Sequence, residues 1–178
     1  MKRVLAITTV SVGVLLLSGY GGYQYLVNKH EKENLEVKEK ADAAGITEEE
    51  FIEQTQQIEG ISYKVDLDEN STQEEVIDVM HKMTHQKVRA EQKWGAIPMI
   101  PETINDVYEI VSKSSFERKE SLLEILERWK NGDFSKADED HNYFWTYQGG
   151  TVGKAYGIMS KNEEAEFIKN NFKEMQDS

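Results

Sequence analysis

The stretch STQEEVIDVMHKMTHQKVRA, residues 71–90, decides the fold because it joins a helix-start signal to a two-faced helical pattern. Ser71 and Glu74 form an S-x-x-E capping box, which predicts a helix from Thr72 to about Ala90. Val76, Met80, Met83 and Lys87 fall on one face at helical spacing, with Ile77 beside them. The polar residues Asp78, His81 and His85 fall together on the opposite face. The apolar face predicts that this helix packs against others.

The same signals recur along the chain and predict a mainly α-helical protein. Further capping pairs are Thr47/Glu50, Ser114/Glu117, Ser160/Glu163 and Ser135/Asp138. Apolar residues at i, i+3, i+4 and i+7 follow in two segments: Ile104, Val107, Tyr108 and Val111, then Leu122, Ile125, Leu126 and Trp129. Gly132 is placed to end the second of these helices as its C′ glycine. We predict a compact domain of five to seven helices over residues 47–175.

One segment breaks the helical pattern. Residues 61–67, ISYKVDL, alternate apolar and polar side chains with the period of a strand. No partner strand is evident, and a lone strand leaves backbone groups unpaired. The segment is interpreted as a short strand, an extended coil packed on the helices, or an edge open to a partner.

The N-terminus carries an apolar run. After a basic head at residues 1–3, no residue from Val4 to Val27 is charged, and a helix of this length would cross a bilayer. The run closes with LLLSGYGG, residues 15–22, where Tyr20 stands at the place of a lipid-bearing cysteine. The tyrosines favour an uncleaved transmembrane anchor at 4–27 over a cleaved signal peptide or an internal helix. The basic head then predicts a single-pass cell-membrane protein with its N-terminus in the cytoplasm and its body outside, or a secreted protein if the run is cleaved.

Composition limits the function of the body. Residues 28–46 form a charged linker or exposed helix, and the chain has a net charge of −12. Because the first 30 residues hold three basic and no acidic side chains, residues 31–178 carry −15. Such a body is a poor nucleic-acid binder and favours cations or basic partners. The absence of cysteine excludes disulfides, thiol catalysis and Cys-type zinc sites.

Two histidines on the opening helix are candidate metal ligands. His81 and His85 lie one turn apart on the same face as Asp78, and imidazoles at this spacing bind zinc or another borderline divalent metal. A zincin would need Glu at position 82 as general base, where the chain has Lys82. This argues against a hydrolytic site of that type, and a solvated polar face with two ordinary histidines is favoured over metal binding or a polar contact site.

A second candidate segment is DFSKADEDHNYFW, residues 133–145. His141 shares a helical face with Ala137, Phe144 and Trp145, so it is expected to be partly buried, with Asp138 or Asn142 as a partner. His141 becomes a third ligand beside His81 and His85 only if the two helices pack with these faces together. A satisfied core histidine is the favoured alternative.

The glycine-rich stretch GGTVGKA, residues 149–155, resembles a phosphate loop only superficially. The phosphate-loop spacing would need Gly at 148 and Ser or Thr at 155, where the chain has Gln148 and Ala155. It is interpreted as a turn whose backbone lies close to a neighbour.

Several blocks together resemble a known family. MHKMTHQK, KWG, ILERWKNGDFS, ADEDHNYFW and QGGTVGKA, within about residues 72–172, are similar to a family of exported or membrane-anchored proteins of Gram-positive, Bacillus-like bacteria, a domain of unknown function. The resemblance implies a compartment and no mechanism. The positions that it marks here are His81, His85, Gln86, Trp94, Trp129, Asp133, Asp138, His141, Asn142 and Trp145.

Two hypotheses of function follow. The first is a membrane-tethered, extracytoplasmic binding or regulatory domain that engages a protein partner at the cell surface. Its candidate binding residues are Gln86, Trp94, Trp129, Asp133, Asp138, Asn142 and Trp145. The alternative is a metal-binding protein or metal-dependent enzyme that uses His81, His85 and His141, with Asp78 or Asp138. No catalytic motif is complete, which argues against an enzyme, and a divalent metal is the one cofactor considered.

Overall fold

The computed structural model describes residues 25–173, which form seven helices and one two-stranded sheet. The described residues divide into two compact units, with the boundary between Glu48 and Glu49. The elements are α1 (25–44), α2 (Glu48–Thr55), α3 (Gln73–Thr84), β1 (Val88–Ala90), α4 (Pro101–Lys113), α5 (Lys119–Lys130), α6 (Ala137–Tyr147), β2 (Ala155–Ile158) and α7 (Lys161–Asn171). The protein is thus mainly helical.

The predicted fold class is wrong in its single transmembrane helix. Within residues 25–173, no helix has the length and apolar character needed to cross a membrane. The physical reason in α1 is composition, because charged side chains follow one another from Lys29 to Lys40. The basic head at 1–3 and residues 4–24 of the predicted segment 4–27 lie outside the described residues. The predicted linker at 28–46 is a mostly exposed helix up to residue 44, in which Ala41 is buried.

Helix α3 begins and ends at other residues than the sequence predicted. Its N-cap is Thr72, whose side chain accepts from the Glu75 backbone N–H while the Glu75 carboxylate accepts from the Thr72 N–H at 2.7 Å. The predicted Ser71/Glu74 box is therefore one residue early. The helix ends at Thr84 rather than near Ala90, and Val88–Ala90 forms a strand instead.

The sheet pairs two short strands that are distant in sequence. β1 and β2 run antiparallel, with Val88 opposite Ile158 and an irregular register between Arg89 and Ala90. The predicted strand at 61–67 is an extended coil with a single bridge from Ile61 to Ala96. Val65 and Leu67 of this coil pack on the helices. Of the interpretations given for the segment, the packed coil matches the structure.

Some of the predicted helix-capping signals are present at the observed helix ends, and others are not. Ser160 and Glu163 form the predicted capping box of α7. Gly132 has φ +72° and closes α5, since its N–H donates to Trp129 O and the next N–H donates to Arg128 O. The Ser114 and Ser135 boxes are wrong, because Ser114 caps the C-terminus of α4 and Ser135 binds Asp133.

The main core lies among α3, α4, α5 and α6. The predicted apolar faces of α3, α4 and α5 are buried there: Val76, Ile77, Met80, Met83, Ile104, Val107, Val111, Leu122, Ile125, Leu126 and Trp129. Phe144 of α6 completes this cluster from the far side. Burying these faces lays α3 against α6, which decides the position of the polar residues at their junction.

Candidate metal centre

Three histidines meet where α3 packs on α6. One ring nitrogen from each of His81, His85 and His141 lies within 4.8 Å of the other two. The ring centroids are 4.4 Å apart for His81 and His141, 4.9 Å for His81 and His85, and 5.4 Å for His85 and His141. The shortest contact is 2.9 Å, between the Nε2 atoms of His81 and His141. The condition set by the sequence, that the two helices pack with these faces together, is met.

The Nδ1 atom of His81 is held by the side chain of Gln148. That nitrogen lies 2.5 Å from Gln148 Oε1, and Gln148 Nε2 donates to Asp78 Oδ1 at 3.3 Å. The second Asp78 oxygen accepts from Lys82 Nζ at 2.6 Å. Because a carboxylate only accepts, Asp78 fixes the orientation of the Gln148 amide and turns its oxygen toward His81. The His81 Nδ1 therefore carries the proton.

His85, at the C-terminal end of α3, is held by backbone. Its Nδ1 lies 2.5 Å from the carbonyl oxygen of Gly95, which can only accept. Gly95 has φ +74°, and a Cβ there would lie 3.1 Å from both Gly60 O and Lys82 Cε. Glycine at this position therefore lets the carbonyl approach the imidazole, and the His85 Nδ1 carries the proton.

His141 is oriented by its neighbour in sequence. Its Nδ1 lies 3.3 Å from Asn142 Oδ1. The Asn142 amide is itself fixed, since Oδ1 accepts from Ala155 N and Nδ2 donates to Ala155 O, both at 2.9 Å. The backbone of strand β2 thus fixes the Asn142 amide, and this amide in turn orients the His141 ring.

All three imidazoles consequently have the same tautomer. Each Nδ1 faces an oxygen acceptor, which leaves each Nε2 with a lone pair for another partner. Burial lowers the pKa of His81, that of His85 further, and that of His141 to about 3. The three rings are therefore neutral at pH 7, which is the state that binds a metal.

The cluster opens into a cleft of about 260 Å³. His85 and His141 are buried, while His81 is partly exposed toward it. Two tryptophans and the loop after α6 form much of the wall: Trp94, Trp145, Gln148, Val152 and Gly153. A small molecule can thus reach the imidazoles from one side.

Of the other eight predicted site residues, four lie around the histidines and four lie elsewhere in the structure. Asp78 is an outer partner of His81 through Gln148, and Trp94 and Trp145 line the cleft. Asn142 orients His141, as described above. The remaining four lie away from the imidazoles.

Those four residues have structural contacts. Gln86 is buried and bonds Met99 N and Glu164. Trp129 is in the core and donates to Asp140. Asp133 is exposed and accepts from Ser135, and Asp138 lies in the first turn of α6, where a carboxylate suits the helix dipole. None of the four is placed to contact a metal at the histidines.

Sequence reasoning missed Gln148, Gly95 and Lys82 as parts of the site. Gln148 follows α6 directly, and an amide there has no sequence signature. Gly95 belongs to the KWG block of the family resemblance. Its contact with His85 depends on tertiary packing, which that block does not predict.

The fold and site define a small, mainly helical domain with three neutral histidines at one helix junction. The chain belongs to the family of unknown function DUF6241, whose model matches residues 80–169, about half of the chain. That range contains all three histidines and Gln148. No curated protein and no solved structure matches the chain. The predicted resemblance to a domain of unknown function is thereby confirmed, and its bacterial source and export stay predictions.

Proposed function

We propose that the domain binds one divalent metal ion, zinc or a similar borderline metal, through Nε2 of His81, His85 and His141. The observation that carries the proposal is the shared tautomer. Three imidazoles have their Nδ1 protons directed at fixed oxygens, and their Nε2 lone pairs are left for a common partner. Metal-binding histidines are usually held in this way by acceptors on the other ring nitrogen.

The spacing of the nitrogens supports the same proposal. Zinc–nitrogen bonds of about 2.0–2.1 Å in a tetrahedral site put ligand nitrogens about 3.3 Å apart. The nitrogens of the cluster span 2.9 Å for the closest pair and stay within 4.8 Å overall. Small rotations of the rings would bring all three to bonding distance.

The alternative for His141, a satisfied core histidine, leaves one contact poorly explained. The Nε2 atoms of His81 and His141 lie 2.9 Å apart, so without an ion one of the two neutral rings must carry its proton on Nε2. For His141 this means giving up the Nδ1–H bond to Asn142. A metal ion bound by both Nε2 atoms keeps that bond.

The donor set indicates which metals fit. Neutral imidazoles suit zinc, copper, nickel and iron, whereas calcium and magnesium prefer oxygen ligands. Three protein ligands with an open fourth position are typical of zinc sites that bind water or a substrate. We propose metal binding itself as the function, and the sequence argument against a zincin mechanism stands because Lys82 occupies the position of the general base.

The experiment is a stoichiometry measurement on the full chain, purified without a polyhistidine tag. After dialysis against zinc and then metal-free buffer, elemental mass spectrometry should find one zinc per chain. His81→Gln should weaken zinc binding at least about tenfold, since loss of a ligand or its support commonly costs 10–100-fold in affinity, and the variant should lose its zinc to the metal-free buffer.

The matched control is the fourth histidine of the chain. His30 is exposed on α1 and lies 3.9 Å from Glu33, so His30→Gln should retain the zinc of the parent protein. A parent protein without zinc after dialysis would overturn the proposal. Equal zinc in the parent and in His81→Gln would also overturn it.

The first hypothesis from the sequence, a protein partner at the cell surface, stays a prediction. The feature that bears on it is the exposure of Trp94, whose side chain is 61% accessible. In the structure this side chain borders the histidine cleft and is therefore part of the same site.

A further inference from the structure

We propose that the cleft over the histidines binds a small anion with a flat apolar body. The anionic group would occupy the open position on the metal, and the body would lie against Trp94. This inference rests on the proposed function and adds the chemical class of the ligand.

The fourth coordination position is open to an external ligand. Among the described residues, the cluster contains His81, His85 and His141 and no further histidine, aspartate or glutamate within ligand distance. Asp78 is committed to Lys82 and Gln148. The fourth donor would therefore come from the cleft, as in zinc sites that bind water or a substrate.

Charge favours an anion at that position. The three imidazoles are neutral, so they leave the double charge of the metal uncompensated. Asp78 is the one carboxylate among the described residues that line the cleft, and Lys82 Nζ neutralises it at 2.6 Å. A ligand carrying a carboxylate, hydroxamate or phosphate group would supply the missing negative charge in a site with little competing anionic charge.

The body of the ligand is inferred from the cleft walls. Trp94 and Val152 both line the cleft, with 61% and 45% of their surfaces accessible. Large apolar side chains exposed at the mouth of a concave site are typical of ligand contact. A flat apolar group between them would cover surface that is otherwise in water.

The walls are held in place by close backbone packing. Trp145 Nε1 donates to Val152 O at 2.8 Å, and a Cβ on Gly150 would lie 2.3 Å from that indole nitrogen. On the other side, a Cβ on Gly153 would lie 2.6 Å from Gln92 O. The loop after α6 is thus fitted against both neighbours, and the cleft exists before a ligand enters.

The volume limits ligand size. At about 260 Å³, the cleft is below the range that holds drug-sized molecules. One ring with one anionic group fits this limit better than an extended polymer.

The experiment compares two hydroxamates that share an anionic head. Full chain loaded with Co²⁺ is titrated with acetohydroxamate or benzohydroxamate while the visible cobalt bands are recorded. Both should change the bands, because the head enters the coordination sphere. Benzohydroxamate should bind about tenfold more tightly, which is the effect of one favourable aromatic contact.

Two variants locate the aromatic contact. Trp94→Ala should reduce the preference for benzohydroxamate to less than about threefold and leave acetohydroxamate affinity unchanged, because only the ring contact is lost. Tyr156→Ala is the matched control, since Tyr156 is also an exposed aromatic residue, 54% accessible, but does not line the cleft. It should behave as the parent protein.

Each other result has a defined meaning. Cobalt that binds but whose bands respond to neither hydroxamate would overturn this inference and leave metal binding intact. Equal affinity for the two hydroxamates, or a preference that survives Trp94→Ala, would overturn the aromatic part. Failure of Co²⁺ itself to bind would instead remove the proposed function on which the inference rests.

Discussion

His81 Nε2 lies 2.9 Å from His141 Nε2, although the two residues are 60 positions apart in the sequence. The contact joins α3 to α6, whose packing also buries Met80, Met83 and Phe144 in the main core. The same apolar burial that stabilises the fold therefore sets the distance between two candidate ligands. A metal ion at this junction would link α3 and α6, which already pack against each other.

Zinc should stabilise the folded protein against heat. If zinc binds only the folded state, a free concentration 100 times Kd adds about 2.7 kcal/mol to the free energy of unfolding, or about 5–10 °C in Tm for a chain of this size. Differential scanning calorimetry with zinc and with EDTA measures the shift. His81→Gln should lose it and His30→Gln should keep it; a shift of the same size in both variants would show that zinc acts elsewhere.

Gln148 should control metal affinity without being a ligand. Gln148→Leu removes the acceptor of His81 Nδ1–H, so the ring loses its fixed orientation, and zinc affinity should fall 10–100-fold. Competition with a chromophoric chelator gives the affinities. Gln92→Leu, on the same cleft, is the control and should change affinity by less than about threefold, because within the described part of the chain no hydrogen bond joins the Gln92 side chain to an imidazole. Equal losses in the two variants would contradict the positioning role.

The sequence predicted the pair His81 and His85, and it made the joining of His141 conditional on how two helices pack. His81 and His85 are one turn apart on α3, so their shared face follows from helical spacing alone. The third member, His141, depends on how α3 meets α6, which local pattern does not contain. Gln148 and Gly95 act through contacts across the fold, and neither residue type predicts such a role by itself.

The fold shows the same division between local and distant effects. Apolar periodicity placed the buried faces of α4 and α5 correctly, because those faces are local. The capping box of α3 was displaced because the run STQEE offers two overlapping S/T-x-x-E pairs, and the structure uses Thr72 and Glu75. Helical spacing over residues 72–90 predicts helix where the structure has strand β1, because the partner strand β2 begins only at Ala155 and no local pattern shows it.

The ion pair between Arg128 and the buried Asp140 should be a large contributor to stability. Arg128 makes two bonds to Asp140, at 2.6 and 3.1 Å, and Trp129 Nε1 donates to the same carboxylate at 3.0 Å. Asp140→Ala leaves a partly buried guanidinium and a buried indole N–H without this acceptor. We expect a loss of about 3 kcal/mol in the free energy of unfolding.

Urea denaturation measures this loss, and an exposed pair is the control. Glu109 and Lys113 form an ion pair at 2.9 Å with both side chains more than half exposed. Glu109→Ala should therefore change the free energy of unfolding much less than Asp140→Ala does. Similar values for the two variants would mean that the Asp140 contacts contribute no more than a surface pair.

Lys93 should make stability depend on pH above neutrality. Its Nζ donates to Gln54 O at 3.2 Å and lies 5.0 Å from the Phe167 ring centroid, and burial lowers its pKa to about 7. The unfolded chain keeps its proton up to the ordinary lysine pKa of 10.5. Between these values the unfolded state binds more protons, so the Lys93 contribution to stability rises with pH.

The comparison with Lys93→Met isolates this effect from other titrating groups. The parent should gain stability relative to the variant as pH rises from about 7 to 10, by at most about 1.4 kcal/mol per pH unit, because one proton is involved. Urea denaturation at several pH values gives the difference. Lys154→Met, at an exposed lysine, is the control and should show no such trend. A constant difference between parent and Lys93→Met would contradict the lowered pKa.

Gly150 should be required for the cleft wall. A Cβ at this position would lie 2.3 Å from Trp145 Nε1, so Gly150→Ala must displace the loop or the indole and break the bond from Trp145 to Val152. We expect a loss of about 1–3 kcal/mol in the free energy of unfolding, the usual cost of overpacking. Because Gln148 lies on the same loop, zinc affinity should fall as well. Gly157→Ala is the matched control, since its Cβ would meet nothing within 4 Å. If Gly150→Ala matched Gly157→Ala in both stability and zinc affinity, the loop would have no part in shaping the site.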